Sequence, residues 1–475
     1  MTTLSPRYKD LNGAPAGTLI SGMELSTLLT TISSSVSELV INQNVIVSSN
    51  TAIPATLAVN VINGASITIS AGITLTINGP FSSGLYKIFN GAGLVSFSST
   101  SIGVVFPEWW GVSDLAVAIN AALIAIGSSG TSGGIVDATN LRGSYALSQT
   151  INLQSYCTLK FNDWCTLTPG TASMTMLNMG FGANNLEGGR WDASGTSFTG
   201  TVILLEKPIS WQKCTISKLY IKNDGNPAAA GRSDTAIYFH PTTANYNQIS
   251  VIVSDVGITG FNVGIYLNSD GLATAINANT FSNIFIDNCR NSIYMEYTST
   301  GQVTGNFFSN VTIEAPAGAI YGVYCNGAQN IFNGISIFDI TGATIPVRFG
   351  ANSSGNYVQA ITSAGTNSDL GLQNNFIAVA DAYQLRQYRG GINVPSAATT
   401  VFTFNSNFQA GTYTFGCYDF QGAASTYTNT AIVTYNGTRT DITYNFGNVN
   451  MPISVVGNSI ILTPGVSIFM YWTLK

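Results

Sequence analysis

Charged side chains are scarce in this chain, so the few that are present and regularly placed stand out. Of 475 residues, 22 are Asp or Glu, 17 are Lys or Arg, and one is His. Three carboxylates, Asp255, Asp287 and Glu314, each follow the last apolar residue of a pattern that recurs along the middle of the chain. Across successive copies that position reads Asp192, Lys222, Asp255, Asp287, Glu314 and Phe338. If the copies stack as paired strands, the three carboxylates form a vertical acidic stripe with neighbours about 5 Å apart. Separations of about 5 Å, and of about 9–10 Å two copies apart, bracket those of retaining and inverting glycoside hydrolysis. Like charges this close raise one pKa, leaving one group as acid and another as base or nucleophile. Other roles fit the same positions. Asp at a strand end often closes a turn on its own backbone, which accounts well for Asp255 and Asp287 and poorly for Glu314. A bound cation or an oligomer contact is a third reading.

A second column, His240, Asn268, Glu296 and Asn326, follows a second short strand in the repeats. His240 is either an acid, base or sugar-binding group, or a solvated turn residue. Arg290, Asp339 and Asp270 lie near these columns in sequence, and Glu187, Arg190 and Asp192 cluster around Trp191, which falls at an inward core position. The expected site is therefore Asp255, Asp287 and Glu314 for catalysis, with His240, Glu296, Arg290 and Asp339 for substrate binding. No phosphate-binding loop, dinucleotide fingerprint or nucleophile elbow stands in a convincing context, so no cofactor is expected. A single histidine excludes a His-rich metal centre, and no metal is expected.

The repeat itself reads Asn or Cys, any residue, apolar, two residues, apolar or Gly, any residue, apolar. It appears as NNLEGGRW from Asn184, CTISKLYI from Cys214, NTFSNIFI from Asn279, NFFSNVTI from Asn306 and NIFNGISI from Asn330, with weaker copies from Asn247 and Asn356. The intervals run from 24 to 33 residues, and most copies carry a second strand such as AIYF, GIYL, SIYM, GVYC or PVRF. No such unit buries its apolar face alone; stacking does so while pairing each strand above and below. The pattern predicts an all-β chain, a right-handed single-stranded parallel β-helix. The leading Asn suits an inward corner residue bonded to its neighbours in the stack. A leucine-rich solenoid lacks support because its fixed leucine spacing is missing, and a propeller needs longer repeats.

Four regions are expected. Residues 1–44 form a helical adaptor, where Leu25, Leu29, Ile32, Val36 and Leu39 make a heptad seam or one face of an ordinary amphipathic helix. Residues 45–112 form a β-rich neck with turn signals at Asn63-Gly64 and Asn78-Gly79. Residues 113–388 form the β-helix, opened by an apolar helix, LAVAINAALIAI, with Asp114 as N-cap; it plugs an otherwise open strand edge. Residues 389–475 form a C-terminal antiparallel β-sandwich with a hairpin at Asn436-Gly437.

Charged residues make up 8% of the chain against about 25% in ordinary domains. The net charge of −5, with no basic patch, argues against nucleic-acid binding. A surface rich in Asn, Ser, Thr and aromatics suits carbohydrate or a large oligomer interface. The six cysteines form no CxxC pair and read as buried and reduced. No apolar stretch reaches about 18 residues, so no membrane insertion is expected. MTTLSPRYKDLNG holds no apolar signal segment, which predicts synthesis in a cytoplasm.

The run GLYKIFNGAGLVSF followed by FPEWWGV at Phe106–Val112 and then a helix resembles the entrance of many bacteriophage tailspikes and related pectate-lyase-like β-helix proteins. An acidic stretch often follows the Trp-Gly in that family; this chain has only Ser113-Asp114. The resemblance covers roughly residues 60–380. It implies a homotrimer held on a virion's baseplate or tail protein through the N-terminus, made in the host cytoplasm, and recognition of a host surface polysaccharide, capsule or lipopolysaccharide. Many such spikes cleave that glycan, so the expected enzyme is a glycoside hydrolase acting as a depolymerase. A non-enzymatic receptor-binding spike is one alternative. A polysaccharide lyase is another, with calcium on Asp255 and Asp287 and Lys222 or Arg290 as base.

Overall fold

Alternating inward apolar and outward polar residues turn most of the chain into short strands. The computed structural model describes side chains for most of residues 22–360 together with Asn374, and backbone strands on either side of that range. In Cys214–Lys222, Cys214, Ile216, Leu219 and Ile221 are buried while Thr215, Ser217, Lys218 and Tyr220 face outward. The alternation breaks at Lys218, whose φ of 59° is left-handed. That one residue bends the strand and resets which side chains point inward.

The chain divides into two compact units, one of residues 1–225, 230–280 and 298–302, the other of residues 226–229, 281–297 and 303–475. In the first unit one parallel sheet runs through Val104–Val105, Ile135–Ala138, Thr158–Phe161, Asn185–Glu187, Cys214–Lys222 and Val251–Thr259. A second runs through Ile151–Leu153, Thr175–Met179, Thr201–Leu205, Thr235–Phe239 and Val263–Ser269. In the second unit Phe307–Glu314, Ile331–Phe338, Tyr357–Thr362 and Asn375–Ala380 continue the first pattern, and Asn291–Tyr297, Tyr321–Cys325 and Ile345–Phe349 the second. These are the rungs of a parallel β-helix, the architecture the repeats predict.

The rungs begin earlier than the sequence indicates. Val36–Ile41, Ala58–Val61 and Phe81–Ser83 pair in parallel, as do Val45–Val47, Ile67–Ile69 and Phe89–Gly91. A third ladder joins Thr51–Ile53, Thr74–Ile77 and Leu94–Phe97. The expected neck is thus itself a small three-sided β-helix. The heptad seam does not form. Among the described residues helix covers Leu25–Thr31, and Val36 and Leu39 lie in a strand that pairs with Tyr8–Asp10 and Ala58–Val61. A seven-residue helix is too short to hold a seam alone, and the β-branched run that follows pairs better as strand.

The PEWW motif makes a tight 3-10 turn over Pro107–Trp109. Trp109 is buried among Phe81, Phe89 and Phe97, and its indole N–H donates to the Gly84 carbonyl at 2.9 Å. Helix Leu115–Gly127 follows, with the Asp114 carboxylate accepting from Val117 N–H at 3.3 Å. It is buried along most of its length. Asn120 lies against the edge strand Ile151–Leu153, donating to Thr150 O and accepting from Asn152 N–H, both at 2.8 Å. The helix therefore satisfies part of the edge it was expected to cover. At the far end of the chain two antiparallel sheets form, one of five strands and one of three; Thr428–Tyr435 and Thr440–Gly447 flank the expected Asn436-Gly437 hairpin. Cys157, Cys165, Cys214, Cys289 and Cys325 are buried and free of disulfides.

Inside the second unit Phe281, Phe308 and Phe332 stack at centroid separations of 4.3 and 4.9 Å. Each fully buried ring contributes about 1.5–3 kcal/mol of hydrophobic stabilisation. Beside them runs a column of buried asparagines. Asn306 donates through its backbone and side chain to the Asn330 side-chain oxygen at 3.0 and 2.9 Å. Asn330 repeats this with Asn356 at 2.8 and 3.1 Å, and Asn356 with Asn374 at 3.1 and 2.9 Å. Replacing Asn330 with Ala removes the oxygen that accepts from Asn306 and the amide that donates to Asn356 and to the Val303 carbonyl, leaving only the backbone bond to Asn356. It is expected to destabilise the fold by about 2–4 kcal/mol, read as a lowered thermal midpoint.

Candidate functional site

The register decides which expected residues meet. In the second unit, Asn283 and Asn310 occupy left-handed corners, φ 54° and 51°, and the Asn310 side chain donates to that of Asn283 at 2.8 Å. Asp287 and Glu314 each lie four residues beyond these corners, at the ends of the neighbouring strands Thr280–Asp287 and Phe307–Glu314. They therefore share one outward row, both half-buried, and Glu314 pairs in register with Phe338 on the next strand. The expected pair is present on that face.

Asp255 is not in that row. Lys222 pairs with Thr259, and Asp255 sits between Ser254, which pairs with Ser217, and Val256, which pairs with Leu219. It therefore stands at the corner position of Lys218, with φ 57°. The weak copy that starts at Asn247 in sequence is offset by four residues from its neighbour. Val251, not Asn247, fills the position of Cys214, while Asn247 belongs to a separate short strand, Asn247–Ile249. The missing Asn is replaced from a neighbouring rung, where the Asn279 side-chain oxygen accepts from Val251 N–H at 2.9 Å.

At that corner Asp255 helps line an open groove of about 600 Å³ with Asp163, Gly189, Arg190, Lys218, Leu219 and Tyr220. The Arg190 guanidinium lies 5.3 Å from the Tyr220 ring centre, and Tyr220 is 39% exposed. Lys218 donates to Glu187 at 2.7 Å, and Lys160 approaches the same carboxylate at 3.3 Å. The bond from Lys218, aided by Lys160, holds the Glu187 carboxyl below its ordinary value. The bond to Glu187 chiefly, with the charges of Asp255 and Asp163, raises the Lys218 ammonium. This groove offers donors, acceptors and an aromatic face. Trp164, next to Asp163 in the chain, is 69% exposed.

His240 follows Thr235–Phe239 as expected. Its ring stacks on Tyr238 at 4.6 Å and meets the Asp270 carboxylate at 3.1 Å. Asn268 donates to the Tyr238 hydroxyl and to Asp270, both at 3.3 Å. In the second unit Glu296 accepts from the Tyr294 hydroxyl at 2.7 Å. Arg290 donates to the Ala229 carbonyl at 2.7 Å. Asp339 lies outside the described residues. Trp191 is buried against Phe161, as its inward position predicts. Among the described residues no group of three His, Cys, Asp or Glu is placed to hold a metal ion.

No family model matches the chain. No curated protein matches it either. Solved structures similar to it include the Acinetobacter phage vB_ApiP_P1 tailspike protein, at 13% identity over 80% of this chain and 88% of that one, TM-score 0.30. A mutant tailspike of E. coli bacteriophage HK620 in complex with a hexasaccharide is 9% identical over 97% and 92%, TM-score 0.35. A tailspike of Acinetobacter baumannii bacteriophage Fri1, a capsular polysaccharide depolymerase, is 11% identical over 96% and 84%, TM-score 0.15. At these TM-scores the likenesses carry no argument, and the fold rests on the strand pairings themselves.

Two features escaped the sequence reading. The groove depends on Asp163, Arg190 and Tyr220 meeting across rungs, which no local pattern announces. The other is a set of outward tyrosines in the second sheet. Tyr238 and Tyr266 pair and stack at 4.7 Å in the first unit, and Tyr294 and Tyr324 pair and stack at 4.5 Å in the second. The recurring Tyr of AIYF, GIYL, SIYM and GVYC is the signal that would have found them.

The Glu187 clasp makes a pH-dependent prediction. Its carboxyl titrates below 4.5 in the folded chain, so the stability it lends is present above 4.5 and is lost as pH falls through the lowered value. Carbon NMR titration of the carboxyl is expected to show Lys218→Gln moving Glu187 back toward 4.5.

Proposed function

We propose that this chain is a tailspike that binds a host surface polysaccharide, capsule or lipopolysaccharide, and cleaves it as an endo-glycosidase. The observation that carries the reading is the row of Asp287 and Glu314 at the ends of adjacent rungs on one outward face. Strands spaced about 4.8 Å apart bring two carboxyl groups near the retaining separation of about 5–5.5 Å. One carboxyl then protonates the glycosidic oxygen, the bond from that oxygen to the anomeric carbon breaks, and the reducing-end fragment leaves as an alcohol. The other carboxylate attacks the anomeric carbon, and water, deprotonated by the first, releases the sugar.

Glycan binding draws on the first unit's groove, where Arg190, Lys218 and Tyr220 present donors and an aromatic face. His240 with Asp270, and Glu296 with Tyr294, are further hydrogen-bonding points for sugar hydroxyls. Elimination is less well supported than hydrolysis. Of the cations considered as base, Lys222 lies 3.9 Å from Asp192 and Arg290 is bonded to Ala229. Lys218, in the groove, is held protonated by Glu187. The homotrimer and the attachment of residues 1–44 to a virion tail or baseplate belong to the same proposal.

Polysaccharide from candidate hosts, assayed for new reducing ends, tests it. Glu314→Gln and Asp287→Asn are each expected to slow cleavage about a hundredfold to ten-thousandfold while binding persists. Full cleavage by Glu314→Gln removes the carboxylate pair from the mechanism. Tight binding by the wild-type chain without new reducing ends makes it a binding-only spike.

A further inference from the structure

The second unit carries a positive charge on its outward face with no carboxylate partner among the described residues. Arg348 follows Tyr324 in register on the next rung. Its guanidinium lies 5.8 Å from the Tyr321 ring centre and donates to the Tyr321 hydroxyl at a long 3.4 Å. Its Nε is buried without a hydrogen-bond partner among the described residues. Because the Nε is enclosed, the edge left for a ligand is the outer one of the two terminal nitrogens, of which one is engaged only by the long bond to Tyr321.

The surroundings add donors. Tyr294, Tyr321 and Tyr324 form a contiguous group of rings, with centroids 4.5 Å apart for Tyr294–Tyr324 and 5.1 Å for Tyr321–Tyr324. Burial first, and then the Glu296 charge, raise the phenols of Tyr294 and Tyr324, so both keep their protons in neutral solution. The Tyr294 hydroxyl is spent on Glu296. That of Tyr324 has no hydrogen bond among the described residues, and it adjoins Arg348 along the ladder. One unpaired guanidinium edge and one available phenol converge, with Glu296 as an acceptor further along.

We propose that Tyr321, Tyr324 and Arg348 form a subsite for an acidic sugar, a hexose bearing a carboxylate. The carboxylate pairs with the Arg348 fork, Tyr324 donates to a ring hydroxyl or the same acid, and Glu296 accepts from a neutral hydroxyl. The inference rests on the polysaccharide reading and narrows it to an acidic glycan. It names a face separate from the Asp287–Glu314 row, which lies on the other sheet.

Saturation-transfer NMR on the full chain, with sodium glucuronate as probe and glucose as neutral control, tests it. Glucuronate is expected to bind with a dissociation constant of about millimolar order, glucose about tenfold more weakly, and added salt to narrow the gap. Arg348→Gln is expected to weaken glucuronate about tenfold and leave glucose unchanged, since one charge-assisted pair is lost. Arg142→Gln, an exposed charge elsewhere, is expected to change neither. Should Arg348→Gln melt early, Tyr324→Ala reports on the same subsite. Equal binding of the two sugars by the wild-type chain, or glucuronate binding unaffected by a folded variant of either residue, overturns the proposal. A neutral host polysaccharide that is nonetheless cleaved fails this inference while leaving the function standing.

Discussion

The structure depends on each rung satisfying the polar groups of the next. A parallel strand finds hydrogen-bond partners only above and below it, so no rung is complete alone. The buried asparagines make that dependence specific. Asn306, Asn330, Asn356 and Asn374 are nearly inaccessible to solvent, and the side-chain oxygens of the last three each receive a backbone and a side-chain donor from the preceding member. A shift of one rung by a single residue would leave amides unpaired in a dry interior and turn apolar residues outward. The ladder therefore sets register as well as adding stability.

Register in turn decides what the outer surface offers. The left-handed corners at Lys218 and Asp255 in one unit, and at Asn283, Asn310 and Gly334 in the other, bend each long strand at the same point. Asn and Asp tolerate this conformation through short side chains that bond locally, and Gly carries no Cβ to clash. Lys218 is the exception, and its long side chain escapes the corner to reach Glu187. The same backbone constraint thus places a cation and a carboxylate at the lip of the groove.

Scarcity of charge sharpens these placements. With so few ionisable residues, many outward positions are Ser, Thr, Asn or Tyr, and several of the charges that remain are clasped. Glu187 holds Lys218 and Lys160, and Asp234, fully buried, accepts from Arg232 at 2.9 Å and from Asn223 at 3.0 Å. Such a surface presents hydroxyls, amides and ring edges without a strong field of its own. Arg348 has no carboxylate partner among the described residues, and its Nε is buried without a hydrogen bond.

The sequence by itself determined the rungs. Recurrent Asn, alternating apolar residues and a second short strand announce stacked coils, because only neighbouring copies could bury those faces. It also determined the row shared by Asp287 and Glu314, since the copies from Asn279 and Asn306 are strong and of matching length. It failed where a copy was weak. Val251 stands where Asn was expected, so Asp255 was read four residues out of step, and only the pairing of Cys214 with Val251 reveals it. The heptad-like spacing near residue 30 misled for a related reason: periodicity over two heptads does not outweigh a strand partner waiting in Ala58–Val61. The groove and the Arg348 subsite belong to tertiary structure alone. Their residues come from different rungs, and spacing between rungs varies with the loops, which no local pattern records.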